Sequence, residues 1–250
     1  MLAYKNYIFD LYGTLVYIET DEESLDFWKA IAELYGSMGA IYEANDLKKT
    51  YLQLVADEES RQSEACQLSH VEIDLLQVFK RLYIECPNRD SISWDPDLET
   101  ASRLMATAFR IQSRKALRAY DGTLPVLAYL KSQGVKIFLL SNAQSAFTLQ
   151  EIKQTGLYDY FDKIYISSDY GIKKPQAQFL EQVLKDNQLE IKDSLMIGND
   201  FTTDIAIADH LGMASLFINS FGYDDKDLEE KNISKVPVID EIGDMIGRIK

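Results

Sequence analysis

The sequence is poor in cysteine, histidine, proline and positive charge. Its two cysteines, Cys66 and Cys86, form no C-x-x-C pair and have no histidine nearby at ligand spacing, so neither a disulfide framework nor a zinc site is expected. They read as buried or half-buried thiols of a reducing cytoplasm. The two histidines, His70 and His210, lie in helical stretches with no acid at catalytic spacing and read as structural or surface residues. Lysine and arginine number 26 against 40 acids, a formal charge of -14. That balance repels phosphate backbones and anionic membrane surfaces, so nucleic acid is not an expected partner. No apolar run approaches the ~18 residues of a membrane span, and MLAYKNYIFD has no basic stretch followed by a long apolar one. The expectation is a soluble, cytoplasmic protein that is neither secreted nor bound to membrane. Repeats and low-complexity linkers are also missing.

What is present is enough for a packed core: 46% hydrophobic and 26% charged residues over 250 positions, which excludes a disordered chain. Tyr4 to Asp10 reads as a short strand ending in an acid, followed by the turn residues Gly13 and Thr14. From Asp21 to about Leu117 apolar residues recur at helical spacing, so this stretch reads as helices only. Trp28, Trp94 and the tyrosines of the stretch fit packing between those helices better than a stacking platform. The acidic run YIETDEESLD, residues 17 to 26, reads as a solvated loop that helps start a helix. After Gly122, amphipathic helices alternate with nearly all-apolar strands (VKIFLL, KIYIS, SLMIG, ASLFIN), the pattern of a parallel sheet covered on both faces. SFGYDDKDLEEKNISKV reads as a charged loop before a last helix. The expected fold is α/β, a Rossmann-like parallel sheet interrupted by a helical insertion.

Ligands of open parallel sheets bind at the carboxyl ends of the strands. Those ends carry Asp10, Ser141 with Asn142, the Lys173-Lys174-Pro175 segment, and Asn199-Asp200 with Asp204 four residues on. Such a set suits phosphoryl transfer to a carboxylate. Asp10 can attack phosphorus, Ser141 and the amides around Asn142 can hold the phosphate oxygens, and Lys174 can neutralise charge. Asp10 and Asp200 can bind Mg²⁺, with Asp204 bracing the metal or the lysine. Each residue alone has a plainer role. Asp10 can make an Asx turn, Asp200 can cap a helix, Asp204 can sit on a solvated face, Ser141-Asn142 can be an N-cap, and the lysines can be solvated charges. Their meeting at one sheet edge favours the chemical role.

FDLYGTLV, LLSNAQ, SSDYGIKKP and MIGNDFTTDIAIADHLGM, in this order, resemble the four motifs of the haloacid dehalogenase superfamily of hydrolases. The resemblance covers nearly the whole chain. It implies a Rossmann-like core over residues 1–16 and 119–250 and a mobile, all-helical cap of C1 type over 17–118. It further implies an aspartate nucleophile at Asp10, with Tyr12, Thr14 and Lys174 completing the catalytic set, and usually Mg²⁺-dependent phosphatase activity on a small phosphate ester. Lys174, next to proline, matches the family's lysine, which leaves Lys173 peripheral. The metal would rest on Asp10, Asp200 and the main-chain carbonyl of Tyr12.

Position 12 departs from the phosphatase pattern, which has a second aspartate there as general acid. A phenol of pKa ~10 is a poor substitute, and losing a positioned acid costs ~10² to 10⁴ in rate. FDxYGTL is also typical of the L-2-haloacid dehalogenases, which attack carbon without metal. That branch expects an arginine early in the cap, whereas none precedes Arg61 here. It also expects serine and asparagine where this chain has Asn199-Asp200, and a tyrosine where it has Leu180. Phosphatase is therefore the leading expectation, with a dehalogenase-like hydrolase or a catalytically weakened phospholigand-binding protein as alternatives.

Overall fold

In the computed structural model of the chain, which describes residues 4–89, 97–232 and 234–249, the apolar run after Lys5 forms the middle of a parallel sheet. This strand, β1 (Asn6–Phe9), is buried throughout. Trp94 lies outside the described residues.

The chain then makes a tight turn, with Leu15 N donating to Leu11 O at 2.8 Å, and enters β2 (Val16–Thr20). Four helices follow: α1 (Leu25–Ser37), α2 (Ala44–Cys66), α3 (Leu75–Ile84) and α4 (Leu98–Ser113). Side-chain caps start three of them. Ser24 accepts from Phe27 N, Asp74 from Leu76 N and Asp97 from Thr100 N, satisfying amides that the first turn leaves open. The helices have a core of their own, in which Phe109 meets Phe27, Tyr51 and Phe79 at centroid distances of 4.9, 5.4 and 5.3 Å. Trp28 is buried in the same core.

Helical spacing predicts that α4 continues to Leu117, but the chain leaves the helix after Ser113 and becomes β3 (Arg114–Ala119). β3 pairs antiparallel with β2, from Val16 opposite Ala119 to Thr20 opposite Arg114. Hydrogen bonding to a partner almost a hundred residues away overrides local helix preference here. The helical insertion is thus joined to the sheet by a two-stranded ribbon.

The remainder alternates as the pattern predicts: α5 (Thr123–Ser132), β4 (Lys136–Ser141), α6 (Ser145–Gln154), β5 (Lys163–Ile166), α7 (Ser167–Tyr170), α8 (Ala177–Asn187) and β6 (Ser194–Gly198). A π-helical turn, Phe201–Ile205, then leads into α9 (Ala206–His210), β7 (Ala214–Ile218), α10 (Asp225–Lys231), β8 (Val238–Ile239) and α11 (Met245–Ile249). Ser167, read as the end of a strand, begins α7. The tail read as a loop contains α10, capped by Asp224, which accepts from Asp227 N at 2.8 Å. The sheet order is β5-β4-β1-β6-β7-β8, every ladder parallel. Alternate residues of β1 enter different cores, Tyr7 and Phe9 on one face and Ile8 on the other. Burial on both faces explains the unbroken apolar strands. Among the described residues no helix is long and apolar enough to cross a membrane.

Candidate active site

Phe9 is in register with Leu139 on one side and Ile197 on the other, so β1, β4 and β6 end side by side. Asp10 follows β1, Ser141 ends β4, and Asn199 and Asp200 follow β6. The loop after α7 carries Lys174 across these ends. Lys174 Nζ lies 2.7 Å from Asp10 Oδ1, 2.7 Å from Asp204 Oδ1 and 2.8 Å from Leu140 O, so each of its three protons has an acceptor. Its side chain is 1% exposed. Burial works against the ammonium charge, but Asp10 and Asp204 outweigh it and hold the lysine above its ordinary pKa. The loop is fastened by Asn142, whose side chain accepts from Lys174 N at 2.8 Å and donates to Lys174 O at 3.0 Å. The Lys174-Pro175 peptide is cis.

Asp204 turns back toward the sheet rather than onto a solvated face. Its Oδ2 accepts from the amides of Asn199 (3.0 Å) and Asp200 (3.1 Å). A Cβ at Gly198 would lie 2.2 Å from this carboxylate, so only glycine lets Asp204 approach the strand. Burial raises the Asp204 carboxyl, while Lys174 and the Asp200 amide pull it down. Gly13, at φ +84°, has the same purpose on the other side, since a Cβ there would meet Asn199 Nδ2 at 2.2 Å. The Thr14 hydroxyl lies 3.1 Å from Asp10 Oδ2 and 3.2 Å from Asn199 Oδ1. Asp10 is therefore held at both oxygens, by an ammonium and a hydroxyl, while remaining 8% exposed.

Ser141 Oγ is buried and has no hydrogen-bond partner. An orphaned hydroxyl at a strand end, one residue after the Leu140 carbonyl that accepts from the Lys174 ammonium, suits an anionic oxygen as ligand. Asp200 is half-buried, and its Oδ1 caps the π-helical turn by accepting from Thr202 N (2.6 Å) and Thr202 Oγ1 (2.7 Å). The hard oxygens of Asp10, Asp200 and the Tyr12 carbonyl are chemically suited to Mg²⁺. Among the described residues no three or more His, Cys, Asp or Glu side chains are grouped to hold a metal. An ion here would need the carbonyl and further oxygen ligands beside the two carboxylates.

Tyr12 directs its phenol away from this cluster into a second one. Its hydroxyl donates to Glu151 Oε2 in a short hydrogen bond and lies 3.1 Å from Thr148 Oγ1. Glu151, on α6, is 2% exposed and pairs with Arg110 Nε at 2.8 Å and Arg114 Nη1 at 3.0 Å. Burial, then the Glu151 carboxylate, pushes the phenol well above its ordinary pKa. Sequence reasoning missed this network. Glu151 lies on the face of α6 that buries Thr148 and Ile152, and a carboxylate inside such a stripe is the available signal. Its arginines, 41 and 37 residues away, give none.

Of the other residues singled out, Lys173 points to Glu59 of α2, at 3.6 Å. His210 is exposed with Nδ1 3.2 Å from Pro175 O, and the carbonyl of His70 accepts from Lys173 N at 3.1 Å. Leu180 is fully buried in the sheet core. In the acidic run, Asp21 Oδ1 accepts from the amides of Glu23 and Ser24 just before α1.

The sequence model of the haloacid dehalogenase-like hydrolases matches residues 4–212. A glyceraldehyde 3-phosphate phosphatase from Methanothermobacter thermautotrophicus is 31% identical over 130 residues, 52% of this chain and 58% of that protein. The chain thus spans little more than half the length of such curated relatives. A 2-haloacid dehalogenase structure from Pseudomonas syringae superposes with a TM-score of 0.65 at 17% identity, covering 98% of this chain and 97% of that one. The HAD-hydrolase YfnB from Bacillus subtilis, in a magnesium-bound crystal structure, superposes with a TM-score of 0.55 at 17% identity over 99% of each chain. At these identities the two structures speak for the fold alone.

Proposed function

The chain belongs to the haloacid dehalogenase-like hydrolases, and within that family we propose that it is a Mg²⁺-dependent phosphatase of a small phosphorylated metabolite. The observation that carries this reading is Lys174, held at 2.7 Å from both Asp10 and Asp204 while the buried hydroxyl of Ser141, at the end of the neighbouring strand, has no partner. The phosphatase named among the relatives supports it.

Asp10 attacks phosphorus, forming a carboxylate–phosphorus bond as the bond to the leaving oxygen breaks, and water later releases phosphate. Lys174 and Thr14 fix the carboxylate plane before attack, so little reorganisation is needed. Ser141 and the main chain at Asn142 receive the phosphate oxygens, the Ala143 amide being taken by Ser167 Oγ at 2.8 Å, and Lys174 offsets the charge built up between nucleophile and phosphate. Asp10, Asp200 and the Tyr12 carbonyl would hold Mg²⁺, which supplies further positive charge to the phosphate. The helices α1 to α4 of the insertion act as a cap that keeps bulk water and long polymers out.

Tyr12 does not supply the leaving-group proton, because its phenol donates to Glu151 and is held well above neutral pKa. Good leaving groups are therefore preferred, with aryl phosphates hydrolysed much faster than alkyl phosphates. A panel of both ester types, with and without Mg²⁺ and beside chloride release from 2-chloropropionate, tests the assignment. Mg²⁺-independent halide release with no phosphate release would assign a dehalogenase instead.

A further inference from the structure

The α2–α3 loop of the insertion sends one carboxylate into the sheet edge. Glu72 is half-buried; its Oε2 accepts from Ser167 Oγ at 2.8 Å and its Oε1 from Gln144 Nε2 at 3.1 Å. Ser167 directly follows β5, and Gln144 lies three residues beyond Ser141. Both donors are themselves buried.

Main-chain contacts surround this carboxylate. Val71 bridges Ile172 antiparallel, Glu72 N donates to Gly171 O at 3.1 Å, and Lys173 N donates to His70 O at 3.1 Å. Gln144 fastens the insertion from the core side, since its Oε1 accepts from Leu75 N at 2.9 Å and its Nε2 donates to Ile73 O at 2.8 Å. The two core loops are also tied to each other. Ala143 N donates to Ser167 Oγ at 2.8 Å, and Asn142 clamps both backbone groups of Lys174. The residue before Lys174 is thus bonded to the insertion, and the loop after Ser141 is bonded to Glu72.

The chemistry of the contact calls for a carboxylate. Leu75 and Ile73 fix the Gln144 amide so that nitrogen faces Glu72, and Ser167 already accepts from Ala143. Glu72 therefore meets two donors, which an acceptor-only group satisfies best.

We propose that Glu72 is a positioning residue. It locks the 141–144 and 167–175 loops into the arrangement that presents Ser141 and Lys174, so this edge is fully ordered only when the insertion lies closed on it. The kinetic consequence rests on the phosphatase reading; the structural one does not.

The test is hydrogen–deuterium exchange on the full-length wild type, Glu72→Ala and Glu72→Gln, followed by p-nitrophenyl phosphate kinetics with Mg²⁺. Glu72→Ala should speed exchange of peptides spanning 141–145 and 167–175 about fivefold or more, leaving α5 unchanged. Its kcat/KM should fall about tenfold or more, mostly through kcat. Glu72→Gln should fall between the two, because one amide oxygen can still accept while the Ser167 proton turns to Ala143 O, 3.1 Å away. Unchanged exchange in both loops, or an increase spread evenly over the chain, would overturn the proposal. A wild type with no phosphatase activity would refute the phosphatase reading, while the exchange pattern would still decide the role of Glu72.

Discussion

Two residues apart on one turn, Asp10 and Tyr12 enter charge clusters that are mirror images in sign. In one, a buried ammonium lies between two carboxylates; in the other, a buried carboxylate lies between two guanidinium groups. The first is built from a strand end, a loop and the π-helical turn, all of the sheet region, and its Asp10 side chain is 11% exposed against 1% for Lys174 and Asp204. The second crosses the joint: Glu151 belongs to α6, Arg110 to the last turn of α4 and Arg114 to the start of β3. Thr148, Tyr12 and Gln154 occupy its remaining contacts. The first lies within the sheet region alone, whereas the second, with Glu151 2% exposed, ties α6 to the end of the insertion.

Substitutions should separate the two roles. Lys174→Met leaves Asp10 and Asp204 facing each other without a cation. It should cost ~3–5 kcal/mol in urea denaturation and reduce turnover by more than ~10³. Retention of a tenth of wild-type activity would contradict the role given to this lysine. Asp10→Asn should abolish turnover equally while leaving the melting temperature within a few degrees, about 4 °C.

Glu151→Gln leaves both arginines short of a counter-charge. Because they are partly exposed, at 13% and 22%, the expected loss is ~2 kcal/mol, with kcat on an aryl phosphate within about threefold of wild type. A collapse in rate matching that of Lys174→Met would mean that the second cluster also serves the chemistry. Tyr12→Phe removes a single donor and should cost ~1 kcal/mol, with no change on aryl substrates.

The smallest effect concerns pH. The Tyr12 phenol is raised in the folded protein, so above the ordinary tyrosine value of ~10 the unfolded chain ionises while the folded one keeps its proton. Stability from this group is therefore complete below that pH and is lost as pH rises past it. Urea midpoints measured between pH 8 and 10.5 should fall more steeply for wild type than for Tyr12→Phe. Parallel slopes would mean that the phenol titrates normally.

Apolar periodicity by itself specified a parallel sheet with covered faces, because strands buried on both sides must be apolar at every position. It also specified that the next stretch was helical, and chemistry-bearing residues at the strand ends marked Asp10, Ser141, Lys174 and Asp200. Proximity followed from topology, since the ends of neighbouring parallel strands coincide. Three features were decided only by the tertiary structure. Arg114–Ala119 became a strand because β2 offered it a ladder, Asp204 braced Lys174 rather than the metal or a solvated face because a π-helical turn and Gly198 let it turn inward, and Tyr12 turned toward Glu151. In each, the deciding partner is remote in sequence or depends on a backbone turn that periodicity does not encode. A charge or hydrogen bond acts across space, and residue spacing along the chain carries no record of it.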